Sequence, residues 1–359
     1  MRLVERTALK AGHKLGKSVL NENGKVLINH GVELSDRMIQ RLGEMEITYV
    51  YIQDNDTEDI LVDSPISEEL RNDARKKIKR TFEEVKGLTN KHEPFIHEKV
   101  GFKMRSVVRD ILSELQQNRE VISLLSDVFT YDDYILTHSM NVTIYALALA
   151  RELGYSQKEL EEIGIGAILH DVGKLGVPKD ILLKPGKLSN DEFEKIKHHC
   201  EEGFNILRKS ATIPLVAAHC AYQHHERLDG SGYPRGIKEH EIHRYAKVLA
   251  IADVFDAVTS NRVYRNAMLP HEGLEVLYSG SDHLFAKPML EAFRRCVAVY
   301  PNGLTVELSN GQHGVVSRQN KHLCDRPIVR VLSDGKPFEL DLSEQLNVVI
   351  TKCHTTFAS

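Results

Sequence analysis

No stretch of this chain approaches the roughly 18 consecutive apolar residues that a membrane-crossing helix needs, so a transmembrane span is not expected. The opening MRLVERTALKAG likewise lacks the apolar run of a secretory signal, and the expected location is the cytoplasm. Cysteine is sparse and scattered. Cys200, Cys220, Cys296, Cys324 and Cys353 form no CxxC pair, and their odd number and wide spacing argue for free thiols in a reducing compartment. Nor is there an excess of positive charge: 47 Lys and Arg stand against 51 Asp and Glu, for a formal charge of -4. Without a global positive field, DNA or RNA is not an expected partner, and an anionic ligand must be held locally by a few cationic side chains or by metal ions. A covalent serine mechanism is also unsupported, because Ser231 has no evident His-Asp partnership.

What the chain does have is length, histidine and helical patterning. Its 359 residues, 42% hydrophobic and 27% charged, suit a soluble globular protein of two or three compact units. Residues 1–62 read as a small α+β module: SVLNENGKVLINHGVEL has two apolar runs joined by a hairpin signal, DRMIQRLGEME is helical, and ITYVYI reads as a strand. The module holds no nucleotide-binding glycine signature, and regulation or self-association is its expected use. Residues 63–98 read as a helical linker, with Leu70, Ala74, Ile78, Phe82 and Val85 tracing an apolar stripe from Ser67 to about Leu88. That stripe must dock on the next domain or on a second copy of the chain, which would make a homodimer.

Residues 99–300 are mainly helical, with segments around 105–126, 138–153, 158–170, 190–208, 212–225, 244–260 and 287–298. A helical bundle of irregular topology is expected there. Residues 301–359 change character: LTVELSN, HGVVSRQ, PIVRVL and LNVVI are short β-like runs, with Asn310-Gly311 and Asp334-Gly335 as turn signals. The fold class is therefore mainly α, with a small N-terminal α+β module and a β-rich C-terminal appendage.

The 18 histidines are more than ordinary surface usage requires, and most lie in the middle of the chain. Candidate ligands there are His138 in THSMNVTIYALALA, His170 and Asp171 in AILHDVGKLG, His199 in KIKHHCEEGF, His224 and His225 in AYQHHERLDGSGYP, and Asp253 in AIADVFDAVTS. Five imidazoles and two carboxylates suit borderline divalent metals better than Ca²⁺ or Mg²⁺, which prefer oxygen. Asp253 interrupts an apolar helix, where a carboxylate without a partner would be costly to bury. Asp171, joined to His170, is placed to bridge two metals and activate water between them.

With HDVGK at 170–174, HHERLDGSGYP at 224–234 and IADVFDAVTSNRVYR at 251–265, the sequence resembles the HD-GYP family of bacterial cyclic di-GMP phosphodiesterases, within the HD phosphohydrolase superfamily. The resemblance covers roughly 130–296 and implies a helical HD-type metallohydrolase domain. It implies that His138, His170, Asp171 and Asp253 hold one metal and that His199, His224 and His225 hold a second, with Asp171 bridging. Some members carry a Glu one helical turn before the first histidine for a further metal. Tyr134 occupies that position here, and Asp132 and Asp133 do not match it, so two ions are expected.

By the same resemblance Lys174 approaches the substrate phosphate, Arg262 and Arg265 bind phosphates, and Tyr233 lines the guanine region. Iron or manganese is the expected metal, with zinc also compatible. The implied reaction is hydrolysis of cyclic di-GMP by metal-activated water to linear pGpG, and onward to GMP if the second ester is also cleaved. Two other readings stay open at this point: a catalytically weak cyclic di-GMP sensor coupled to the flanking modules, and a hydrolase of another cyclic dinucleotide.

Overall fold

The computed structural model describes residues 1–20, 26–45, 47–62, 64–89, 97–117, 134–182, 184, 186–260, 267–320, 323–332 and 336–354. At the N-terminal end, β1 (Arg2–Glu5), β2 (Lys14–Leu15), β3 (Val19–Leu20), β4 (Val26–Ile28), α1 (Asp36–Glu44) and β5 (Tyr49–Gln53) follow in order. The expected hairpin is present as the antiparallel β3–β4 pair, and a three-stranded sheet runs β1-β5-β2. Strand alternation gives this small sheet two buried faces. Val50 and Ile52 point with Val4 and Leu15 toward Leu42 of α1, whereas Tyr51 and Leu3 point away from it.

That second face is covered by the C-terminal strands. β6 (Thr305–Leu308), β7 (His313–Arg318), β8 (Ile328–Val331), β9 (Phe338–Asp341) and β10 (Ile350–His354) form an antiparallel sheet in the order β10-β6-β7-β8-β9. Leu3 and Tyr51 share a core with Leu304, Val306, Val316, Val329 and Val331. Leu3 N–H donates to Gly303 O at 2.8 Å, and Arg330 Nη2 meets Asp59 Oδ2 at 2.9 Å. Two segments read separately in sequence thus pack together, through contacts about 270 residues apart. The run LNVVI, expected as a strand, enters the sheet only at Ile350. Before that, the Arg326 guanidinium draws the carbonyls of Leu342, Leu346 and Val348 into a turn. β9 was not expected.

Between the two β units lie the helices: α2 (Glu68–Thr89), α3 (His97–Gln117), α4 (Tyr134–Glu152), α5 (Gln157–Leu169), α6 (Lys179–Leu182), α7 (Asn190–Lys197), α8 (His199–Leu207), α9 (Leu215–Gln223), α10 (Arg244–Thr259), α11 (Pro270–Ser279) and α12 (Lys287–Cys296). Helix α4 is buried around its whole circumference from Leu136 to Ala150, as its apolar TIYALALA run requires, and forms the axis of the bundle. Helix α2 is not a free linker. Ala74, Ile78, Phe82 and Val85 are buried in the same core as Met104 and Val108 of α3 and Met140 of α4. The stripe that suggested self-pairing is therefore covered within the chain.

The segment 190–208 is two helices rather than one, broken at His198. Each half has a local cause: Ser189 and Glu192 form a capping box that starts α7, and the Ile196 carbonyl accepts from the His199 ring. Helix α11 escaped the periodicity reading, although Pro270 at its start and Glu272, whose carboxylate accepts from Leu269 N–H, mark a helix N-terminus. Among the described residues no helix is long and apolar enough to cross a membrane.

Candidate metal centre

Five helices converge on one buried cluster. His138 comes from the first turn of α4, His170 and Asp171 from the end of α5, His199 from the start of α8, His224 and His225 from the end of α9, and Asp253 from the middle of α10. All seven residues are brought together. Asp171 lies at their centre: Oδ1 is 3.3 Å from His199 Nε2 and 3.8 Å from His224 Nε2. Its Oδ2 is 3.4 Å from His170 Nε2 and 3.6 Å from His138 Nε2. One carboxylate thus faces two sets of donors. Asp253 adds Oδ1 at 3.1 Å from His138 Nε2 and Oδ2 at 3.6 Å from His225 Nδ1.

The far side of each ring explains why these nitrogens can act as ligands. The Nδ1 atoms of His170, His199 and His224 sit 2.6, 2.7 and 2.9 Å from the carbonyls of Ala167, Ile196 and Ala221. A carbonyl oxygen only accepts, so Nδ1 must carry the hydrogen, and in the neutral ring Nε2 presents a lone pair. His199 Nε2 and His224 Nε2 nevertheless face one another at 3.3 Å. Two lone pairs at that separation, beside a carboxylate oxygen, call for a cation. His170 Nε2 and Asp171 Oδ1 are also buried without a hydrogen-bond partner among the described residues.

The separations suit a metal of ordinary bond length. Two imidazole nitrogens held at about 2.0–2.1 Å with a tetrahedral angle lie about 3.3–3.4 Å apart. The donor set and its spacing therefore match what divalent ions of the first transition row require.

Electrostatics agree. Burial pushes the Asp171 and Asp253 carboxyls toward neutrality, but the neighbouring histidines, and for Asp171 also Lys174, outweigh it and hold both well below the usual carboxylate range. Burial holds His224 and His225 well below the ordinary imidazole value, hence neutral and ready to ligate. His138 is the opposite case. Burial disfavours its charge, yet Asp253 and Asp256 prevail and push it up to about 9. The carboxylates that would stabilise a metal there stabilise a proton instead.

Three supporting residues were missed by the sequence reading. Asp256 Oδ2 is 2.7 Å from His138 Nδ1, while its Oδ1 accepts from Asn141 Nδ2 and Ser260 Oγ, each at 2.9 Å. Its signal was present in the spacing, since Asp253 and Asp256 are three apart on one helix face. Buried Glu226 accepts from Arg235 N–H at 2.9 Å and Ile237 N–H at 3.1 Å, folding the loop after α9 back on itself. Cys200, grouped with the free thiols although its place after His199 set it apart, brings Sγ to 3.5 Å from His199 Nε2.

The folded loop lays the Tyr233 ring over His225, with centroids 4.6 Å apart. Tyr233 N–H donates to His225 O at 3.2 Å, and Gly232 permits this return: a Cβ there would lie 2.4 Å from Arg227 N and 2.5 Å from His225 O. Phe193 and Lys197 of α7 flank Tyr233, with Lys197 Nζ 5.5 Å from the Tyr233 ring centre. Lys174, in a short 3-10 turn after Asp171 and not a full helical turn, places Nζ 2.5 Å from Asp171 Oδ2. Arg262 and Arg265 lie outside the described residues, as do Asp132 and Asp133; Tyr134 is the first residue of α4.

Residues 109–286 match the family model described as HD domain. A cyclic di-GMP phosphodiesterase of Pseudomonas aeruginosa is 33% identical over 230 residues, covering 64% of this chain and 55% of that protein. One of Thermotoga maritima is 39% identical over 204 residues, 56% of this chain and 54% of that protein. A 3'3'-cGAMP-specific phosphodiesterase of Vibrio cholerae is 34% identical over 172 residues, 48% of this chain and 37% of that protein. The chain spans about half the length of the first two of these relatives. The helical unit is an HD domain, a class whose hydrolases are metal-dependent. Within that class, the matching cyclic di-GMP phosphodiesterases support the HD-GYP family.

Proposed function

We propose that this chain is a metal-dependent phosphodiesterase that hydrolyses cyclic di-GMP to pGpG, with GMP as the product of a second cleavage. The observation that carries the reading is the position of Asp171, whose two oxygens face separate donor groups inside one buried cluster. In this reading His138, His170, Asp171 and Asp253 hold one ion and His199, His224 and His225 a second, both iron or manganese, with Asp171 shared. Divalent ions bound there supply Lewis acidity to a phosphate oxygen and lower the pKa of water.

The protein's own groups do the rest. The Nδ1 hydrogen bonds of the histidines hold each ring at its angle, so the donor set is organised before substrate arrives. Lys174 is partly exposed beside the buried cluster, where its ammonium can meet a nonbridging phosphate oxygen. Tyr233, backed by His225 and flanked by Phe193, offers an aromatic face to a purine base. Arg262 and Arg265 are assigned to the phosphates on the sequence motif alone.

The relatives named for cyclic di-GMP support the guanine dinucleotide, and those named for 3'3'-cGAMP motivate a second reading in which one base is adenine. The deciding assay uses anaerobically prepared protein of measured iron or manganese content, given cyclic di-GMP, 3'3'-cGAMP and cyclic di-AMP in parallel. Formation of pGpG or GMP fastest from cyclic di-GMP is the expected result. No product from a metal-loaded sample would reject the activity, and faster turnover of 3'3'-cGAMP would reassign the substrate.

A further inference from the structure

Cys200 is a donor in the buried cluster to which the two-ion reading gives no task. It follows His199 directly at the start of α8 and is buried, and its Sγ lies 3.5 Å from His199 Nε2. The sulfur and the ring nitrogens of His199, His224 and His225 all lie within 4.8 Å of one another. Successive helical side chains point about 100° apart and ordinarily diverge. Here the Nδ1 bond to Ile196 O turns the His199 ring back toward the thiol. The second observation is Asp171 Oδ1, fully buried, without a hydrogen-bond partner among the described residues, and aimed at the same His199 nitrogen from 3.3 Å.

The separations are compatible with a shared ion. A thiolate at about 2.3 Å and an imidazole at about 2.0–2.1 Å on one ion, at the roughly 90–110° angles of a four- or five-donor site, lie about 3.1–3.6 Å apart. The observed distance is 3.5 Å. Beside it, the 3.3 Å between His199 and His224 Nε2 matches two nitrogens on the same ion.

We propose that Cys200 is a sulfur ligand of the second metal site, which then comprises three imidazoles, one thiolate and the shared Asp171 carboxylate. The inference rests on the metal reading above and sharpens it. On binding, the thiol proton is released to solvent and a metal–sulfur bond forms with no change of oxidation state. A soft thiolate favours iron or zinc over the harder, oxygen-preferring manganese, so this site should select iron from the two metals proposed.

The test loads the full chain with Co²⁺ under anaerobic conditions and reads the near-ultraviolet sulfur-to-cobalt charge-transfer band. The wild type should show it, Cys353→Ser should keep it, and Cys200→Ser should lose it while retaining helical circular dichroism. The preference for iron over manganese should fall at least about tenfold in Cys200→Ser. A band that persists in Cys200→Ser, or bound cobalt with no band in the wild type, overturns the assignment and leaves the metal cluster standing. Wild type that binds no cobalt, iron or zinc removes the cluster reading and this one with it. Should Cys200→Ser not fold, zinc-edge X-ray absorption of the wild type decides: about one sulfur per two zinc ions at about 2.3 Å supports the ligand, and a shell of nitrogen and oxygen alone refutes it.

Discussion

Asp256 is not itself among the proposed ligands, yet replacing it should weaken one metal site through His138. Its Oδ2 receives His138 Nδ1–H, and its Oδ1 receives Asn141 Nδ2 and Ser260 Oγ. In Asp256→Asn a single amide oxygen must serve both sides. If it turns to Asn141 and Ser260, its NH₂ faces His138 Nδ1, the ring takes the opposite tautomer, and Nε2 carries a hydrogen instead of a lone pair. If it turns to His138, the NH₂ opposes the Asn141 donor unless that amide also turns. A charge-assisted hydrogen bond is lost in either case, worth about 1.5–3 kcal/mol. Loss of such a partner behind a ligating histidine typically weakens metal binding about 10–100-fold, or about 1.4–2.7 kcal/mol. The two figures agree. Asp256 also helps hold the His138 proton on, so the comparison belongs above pH 9, beyond the point where that ring, pushed up to about 9, gives it up. Chelator competition should show one of two sites weakened by that factor in both Asp256→Asn and Asp256→Ala, with the fold intact by circular dichroism. Wild-type affinity at both sites in both variants would refute the reasoning.

Other outcomes follow from the same geometry. Asp171→Asn should lower metal content at both sites together, because one carboxylate faces both donor groups; loss at one site only, read by elemental analysis, would exclude sharing. Lys174→Ala should keep its metal and lower kcat/KM for the dinucleotide by about 10–100-fold, and parallel loss of metal would assign Lys174 to support of Asp171. In Gly173→Ala the new Cβ would sit 2.0 Å from His199 O, forcing α8 away from the Asp171 turn. A destabilisation of about 1–3 kcal/mol with reduced metal uptake is expected by denaturant titration, and an unchanged midpoint would contradict the packing. Metal affinity should rise with pH toward about 9 and then level off, because His138 must lose its proton before Nε2 can donate; a flat profile from pH 6 to 9 would count against a ligand role for that ring.

Much of the centre was legible because its chemistry is carried by short, contiguous motifs. His170-Asp171, His224-His225 and the helix holding Asp253 are each dense in donors for which a bundle core has no other use. Asp256 was harder to see, since an acid one turn beyond Asp253 reads equally well as a solvated helix position until α4 is packed against α10. Cys200 was harder still: one thiol beside one histidine says nothing of direction, and the break at His198 that aims His199 is a local detail periodicity does not encode. The strand expected at LNVVI failed because apolar alternation there competes with an arginine that pulls three carbonyls into a turn.

The order of residues along the chain determined which side chains can bind metal, which helices are buried on all sides, and where the β-rich ends begin, because these follow from donor chemistry and from the period of apolar residues. Only the tertiary structure decided which donors lie side by side, that α2 belongs to the helical core, and that the two ends of the chain pack against each other. Those outcomes depend on contacts between residues far apart in sequence, whose geometry is set by the packing of whole helices and sheets and is written in no single segment.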